Sequence, residues 1–385
     1  MTILRNAGPR AAYIHIPFCE HICHYCDFNK VFLKGQPVDK YLDMLEREVE
    51  LTLELHPPEE MDSVFVGGGT PTSLNEGQLE RLCRIISSHL PLSNQTEYTF
   101  EGNPGDLSID KLEVLKNHGV NRLSLGVQTF DDTLLERIGR SHRAKDVYNT
   151  IDNARKAGFD NISLDLIYAL PGQTLADFKD TLKQAFSFGL PHFSGYSLII
   201  EPKTVFYNLM RKGKLPLPGE DIEAAMFETL MEEMEQHGLH QYEISNFAKP
   251  GYESTHNLTY WSNEPYYGFG AGAHSYLGGW RRSNAGPLTK YMSPIENGSL
   301  PVFEENEVTR QEAMEEEMFL GLRKVEGVSK GHFQRKFGVS LDSIFPGQLE
   351  ELSKKGLLEA DGDSVRLTRI GRMLGNEVFQ EFLAG

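Results

Sequence analysis

Tyr13-Ile14-His15-Ile16-Pro17-Phe18-Cys19-Glu20-His21-Ile22-Cys23-His24-Tyr25-Cys26-Asp27-Phe28 holds both the first strand of the chain and its first chemistry. Tyr13 to Ile16 is a β-type run, closed by Pro17, which has no N–H to carry a ladder further. It opens directly onto three cysteines in the spacing Cys19-x3-Cys23-x2-Cys26. The chain has four cysteines in 385 residues, and three fall in this one loop, so a disulfide scaffold does not fit. Thiolates converging from one loop select zinc or an iron–sulfur centre. A zinc site would need a fourth ligand, for which His15, His21 and His24 are on hand.

Outward from this loop, the strand-then-helix unit repeats. Residues 38–55 have helical apolar spacing (Tyr41, Leu42, Leu45, Val49, Leu53), and Ser63 to Val66 is a strand ended by Gly67-Gly68-Gly69. Further strands are expected at 97–100, 122–127, 162–167 and 193–199, and helices at 77–89, 109–118, 131–138, 144–157, 175–188 and 221–236. Six strands in this alternation predict an α/β fold, a partial (βα)6 TIM-like barrel, with an open doubly wound sheet as the structural alternative. In either, ligand chemistry gathers at the carboxyl ends of the strands, where the cysteines, the Gly triplet, Glu101, Gln128 and Asp165 fall.

The pattern changes after residue 238. A Tyr-, Gly- and Asn-rich stretch, 242–291, reads as short strands and turns with little helix. An acidic helix follows at 309–324. Residues 329–383 read as short helices and a hairpin across Asp361-Gly362-Asp363, a small C-terminal α+β, winged-helix-like module. The expected division is 1–238 for the barrel, 239–308 for a mixed extension and 309–385 for the C-terminal domain. Thirty-eight basic against 55 acidic side chains leave a net charge of −17, which excludes a broad basic surface for nucleic acid. The first eighteen residues carry Arg5 and Arg10 without an apolar run, and no stretch reads as a transmembrane segment, so a cytoplasmic protein is expected. Cys83, at helical spacing with Leu82 and Ile86, reads as core.

The cysteine loop resembles the CxxxCx(aromatic)C signature of the radical S-adenosylmethionine (SAM) family. It is most similar to the branch that holds oxygen-independent coproporphyrinogen III oxidase and the heme chaperone (HemW) family. The resemblance implies a 4Fe-4S cluster on Cys19, Cys23 and Cys26, with SAM chelating the iron left open. It also implies SAM contacts from Tyr13, from Tyr25 between the last two cysteines, and from Gly68, Gly69 and Thr70 in Gly67-Gly68-Gly69-Thr70-Pro71. Glu101, Gln128, Arg140, Asp165 and Ile199 match further SAM-contact positions; carboxylates suit ribose hydroxyls and a guanidinium suits a carboxylate.

Three features discriminate within the branch. Its oxidases carry another cysteine two residues after the third, where this chain has Phe28, and the short start leaves little room for their longer amino-terminal extension. His256-Asn257-Leu258-Thr259-Tyr260 is similar to the HNxxY motif of the heme chaperones, making His256 and Tyr260 candidate heme ligands, with His274 a second candidate histidine. The resemblance thus implies heme as cargo for acceptor proteins of unknown identity. Peripheral contact with membrane-bound acceptors and a dimer are both compatible with it. Porphyrinogen decarboxylation by radical SAM chemistry is the alternative.

Overall fold

The computed structural model describes residues 8–383, so Arg5 and the outermost ends of the first and last expected segments lie outside it. Six strands pair in parallel and in chain order: β1 (Ala11–Ile16), β2 (Ser63–Gly68), β3 (Glu97–Gly102), β4 (Arg122–Gln128), β5 (Asn161–Tyr168) and β6 (His192–Ser197). Three short strands extend the sheet beyond them. β7 (His240–Glu243) and β8 (Asn246–Ala248) add antiparallel pairings beyond β6, and β9 (Tyr267–Phe269) lies parallel to β1. The order is β9-β1-β2-β3-β4-β5-β6-β8-β7, an incomplete barrel that ends in two edges.

Helices cover the outer face, and the apolar spacing seen in the sequence is what they bury. Val38–Leu55 sets Tyr41, Leu42, Leu45 and Val49 into the main core, where Phe100, Leu125 and Leu164 come from the strands. Caps fix the ends. The Asp131 side chain accepts from the backbone of Thr133 and Leu134, so that helix is Asp132–Arg137, and Leu175–Phe186 stops before Gly189, whose positive φ breaks the turn. The last barrel strand ends at Ser197, leaving Ile199 beyond it. Cys83 is fully buried beside Leu82.

The stretch expected to hold little helix contains Thr255–Trp261 and the start of Leu288–Glu296. The first is nucleated by Ser254, whose hydroxyl accepts from the Asn257 N–H, and by the Glu97 carboxylate. That carboxylate accepts from Ser254 Oγ and from the Thr255 and His256 N–H groups. Strands β10 (His274–Leu277), β11 (Trp280–Asn284) and β12 (Val302–Glu307) make a separate antiparallel sheet. After the helix Arg310–Gly321, a second apolar core gathers around Met318, Phe333, Phe337 and Leu352. The hairpin Leu358–Asp361 to Ser364–Leu367 packs with it in a three-stranded antiparallel sheet, as the winged-helix-like reading anticipates. Among the described residues no helix is long and apolar enough to cross a membrane.

Candidate functional site

The cysteine loop leaves the carboxyl end of β1 and is stitched shut by backbone bonds. Val31 N–H donates to Pro17 O (2.8 Å) and Leu33 N–H to Cys19 O (2.8 Å). The glycine turn at the end of β2 lies against the same strand: Gly69 N–H donates to Ile16 O (2.9 Å) and Thr70 N–H to Phe18 O (2.8 Å). Two side chains then reach the sulfurs. Thr70 Oγ1 donates to Cys19 Sγ (3.6 Å), and Arg140 Nη1 donates to Cys23 Sγ (3.3 Å), while Lys30 Nζ donates to the Cys26 carbonyl. All three thiols are free, and Tyr25 packs against the apolar patch of Leu134, Ile138 and Phe206.

These residues fit a cluster better than a single ion. His15 spends one ring nitrogen on Tyr13 OH (3.0 Å) and the other on Asn29 O (2.7 Å), and His24 Nδ1 is bonded to Arg137 O (3.0 Å). Among the described residues no three His, Cys, Asp or Glu side chains come together as a set that could hold one ion. A four-iron cluster takes each thiolate on a different iron, which asks for wider spacing, and the hydrogen bonds to sulfur favour its anionic form.

Behind the loop lies the barrel lumen, a cavity of about 630 Å³. Tyr13, Gly68, Glu101, Asp165, His256 and Tyr260 line it together, joined by His274 at the start of β10. Glu101 Oε2 accepts from the Gly68 N–H (3.1 Å), and burial, reinforced by Asp165, pushes its carboxyl up to about 8. Asp165 accepts from Ser124 Oγ (3.1 Å) and is likewise raised by burial. A β-carbon at Gly68 would stand 2.6 Å from the His15 ring, at φ +120°, so this position requires glycine.

His256 is at the opposite, amino-terminal end of the strands, carried by the helix that plugs the barrel floor. Its Nδ1 pairs with Ser63 Oγ (3.0 Å) and its Nε2 with Tyr260 OH (2.8 Å), and it is 2% exposed. Burial first, then the charge of Arg122, lowers it to about 3, so the imidazole is neutral.

Not every residue singled out from the sequence reaches the lumen. Thr70 and Arg140 serve the cysteine loop instead. Gln128 ends β4 in a left-handed turn (φ +68°), buried. Ile199 is 67% exposed and stands outside the lining. Conversely Arg122, Ser124, Ser194 and Tyr196 line the cavity and were not anticipated. Their signal was available: in β4, Arg122, Ser124, Gly126 and Gln128 alternate with Leu123, Leu125 and Val127, where a strand covered on both faces would be apolar throughout.

An incomplete parallel barrel with a three-cysteine loop at the end of its first strand defines the radical SAM class, and residues 13–185 match the Radical SAM superfamily model. Residues 308–374 match the HemN C-terminal domain. The chain is 56% identical over 375 residues to the heme chaperone HemW of Bacillus subtilis (strain 168), covering 97% of this chain and 99% of that one. Against the heme chaperone HemW of Escherichia coli (strain K12) the identity is 34% over 383 residues, 98% of each chain. This chain belongs to the heme chaperone HemW family. Among solved structures, coproporphyrinogen III oxidase (HemN) from Escherichia coli superposes with a TM-score of 0.86 at 24% identity, covering 99% of this chain and 92% of that one, a likeness of fold.

Proposed function

We propose that this protein binds heme and passes it to acceptor proteins, using a barrel that also carries a 4Fe-4S cluster and SAM. The observation that carries this reading is the end-to-end similarity to heme chaperones, with the HNxxY residues set in the lumen wall. In this reading Cys19, Cys23 and Cys26 hold the cluster, with Thr70 and Arg140 bonded to their sulfurs. The Gly68 turn, Tyr13, Tyr25, Glu101, Gln128, Arg140 and Asp165 form the SAM site, with Ile199 at its outer rim. When bound, the cluster and SAM supply one-electron reduction chemistry. We place the protein in the cytoplasm, where it meets membrane-bound acceptors from the surface.

His256 is the proposed axial ligand. Neutrality leaves a ring lone pair for iron, and Ser63 holds Nδ1 so that Nε2 is the nitrogen offered. Tyr260 OH occupies that nitrogen, so heme entry exchanges a hydroxyl hydrogen bond for an iron bond. Heme titration of anaerobically reconstituted protein, followed by Soret absorbance, tests this. One heme per chain is expected, lost in His256→Ala and recovered with added imidazole. Undiminished binding by His256→Ala would remove His256 from the site.

A further inference from the structure

Arg122 opens β4 at the floor of the barrel and turns its side chain into the lumen, where it is 2% exposed. Its Nε is buried without a hydrogen-bond partner. The two carboxylates whose fields it shares are committed elsewhere: Glu101 to the Gly68 N–H and Asp165 to Ser124. Burial pushes both carboxyls up, Glu101 to about 8, and neither makes a hydrogen bond to the guanidinium. A buried guanidinium left uncompensated is destabilising, and its planar fork is matched by a carboxylate that brings two oxygens at once. The walls around it are aromatic: Tyr13, Phe65, Tyr196 and Tyr260. That combination suits a flat apolar ligand with a carboxylate on its edge.

Resting on the heme reading above, we propose that Arg122 is the receptor for a propionate carboxylate of heme held in the lumen. Two carboxylates are available in this protein, a heme propionate and the methionyl carboxylate of SAM. The lumen floor, beside His256 and away from the cysteine loop, assigns Arg122 to the first.

The test compares heme with heme dimethyl ester, whose propionates are uncharged, on reconstituted wild type, Arg122→Gln and Arg122→Lys. Wild type should bind heme about tenfold more tightly than the ester. Arg122→Gln should lose that factor for heme while binding the ester and SAM as wild type does, with Arg122→Lys in between. Equal loss for heme and ester, unchanged heme affinity, or a loss confined to SAM would each overturn the assignment. Equal affinity of the unmutated protein for heme and ester would overturn it without any variant. A wild type that binds neither would instead bring down the heme reading itself, and this assignment with it.

Discussion

A methyl group at Gly69 would stand 2.9 Å from the Cys19 sulfur and 2.8 Å from the Pro17 carbonyl carbon, closer than van der Waals contact allows. The backbone there cannot retreat, because Gly69 N–H is already bonded to Ile16 O. Gly69→Ala should therefore push Cys19 out of line and leave reconstituted protein with less than half the wild-type iron and sulfide, by chemical analysis. Gly77→Ala, in a helix with only Asn75 Oδ1 at 3.5 Å, should incorporate the full complement. At this scale the sequence was legible wherever chemistry needs a rare residue type: cysteines, a glycine triplet, an isolated carboxylate at a strand end. Arg122 escaped because a lone arginine opening a strand looks like a solvated charge unless its alternation with Leu123 and Leu125 is read with it.

Glu48 joins elements far apart in the chain. It lies on Val38–Leu55 and accepts from Gly270 N–H (2.8 Å), Tyr291 OH (2.5 Å) and Asn284 Nδ2 (2.5 Å). It thereby ties the first helix to the turn between β9 and β10, to β11 and to the helix Leu288–Glu296. Burial outweighs these donors and raises its carboxyl from 4.5 to about 7. A carboxyl raised on folding binds its proton more tightly in the native state. Its contribution is therefore complete below about pH 4.5 and is lost as pH rises through 7, of order 3 kcal/mol in all. Thermal unfolding across pH 5 to 8 should show wild-type stability falling over this window and a flatter profile for Glu48→Gln. Parallel profiles would show that Glu48 does not titrate there. The helices around the barrel were legible because burial of one face imposes a period of 3.6. The helix Thr255–Trp261 was not: seven residues are too few for a period, and its anchor, Glu97, lies more than 150 residues away.

Over the whole molecule, six parallel strands and their crossovers follow from alternation alone, since short parallel connections admit few topologies. The additions do not. β9 pairs with β1 across some 250 residues, an edge pairing no local pattern encodes. The C-terminal module has its own apolar core and docks on β7 and its turn through backbone bonds, Val325 N–H to Tyr242 O and Ile244 N–H to Arg323 O, both 3.0 Å. Fold alone does not separate chaperone from oxidase, because the coproporphyrinogen III oxidase of Escherichia coli has the same architecture. The proposed reading as a chaperone rests instead on the site, where Phe28 is 62% exposed at the cavity wall and His256 and Tyr260 form a buried pair. The most direct test is to give one anaerobically reconstituted preparation coproporphyrinogen III with SAM and a reductant, and to follow protoporphyrinogen IX over many turnovers' time while a parallel sample is titrated with heme. The account predicts one heme per chain and no protoporphyrinogen IX; catalytic formation of protoporphyrinogen IX would contradict it.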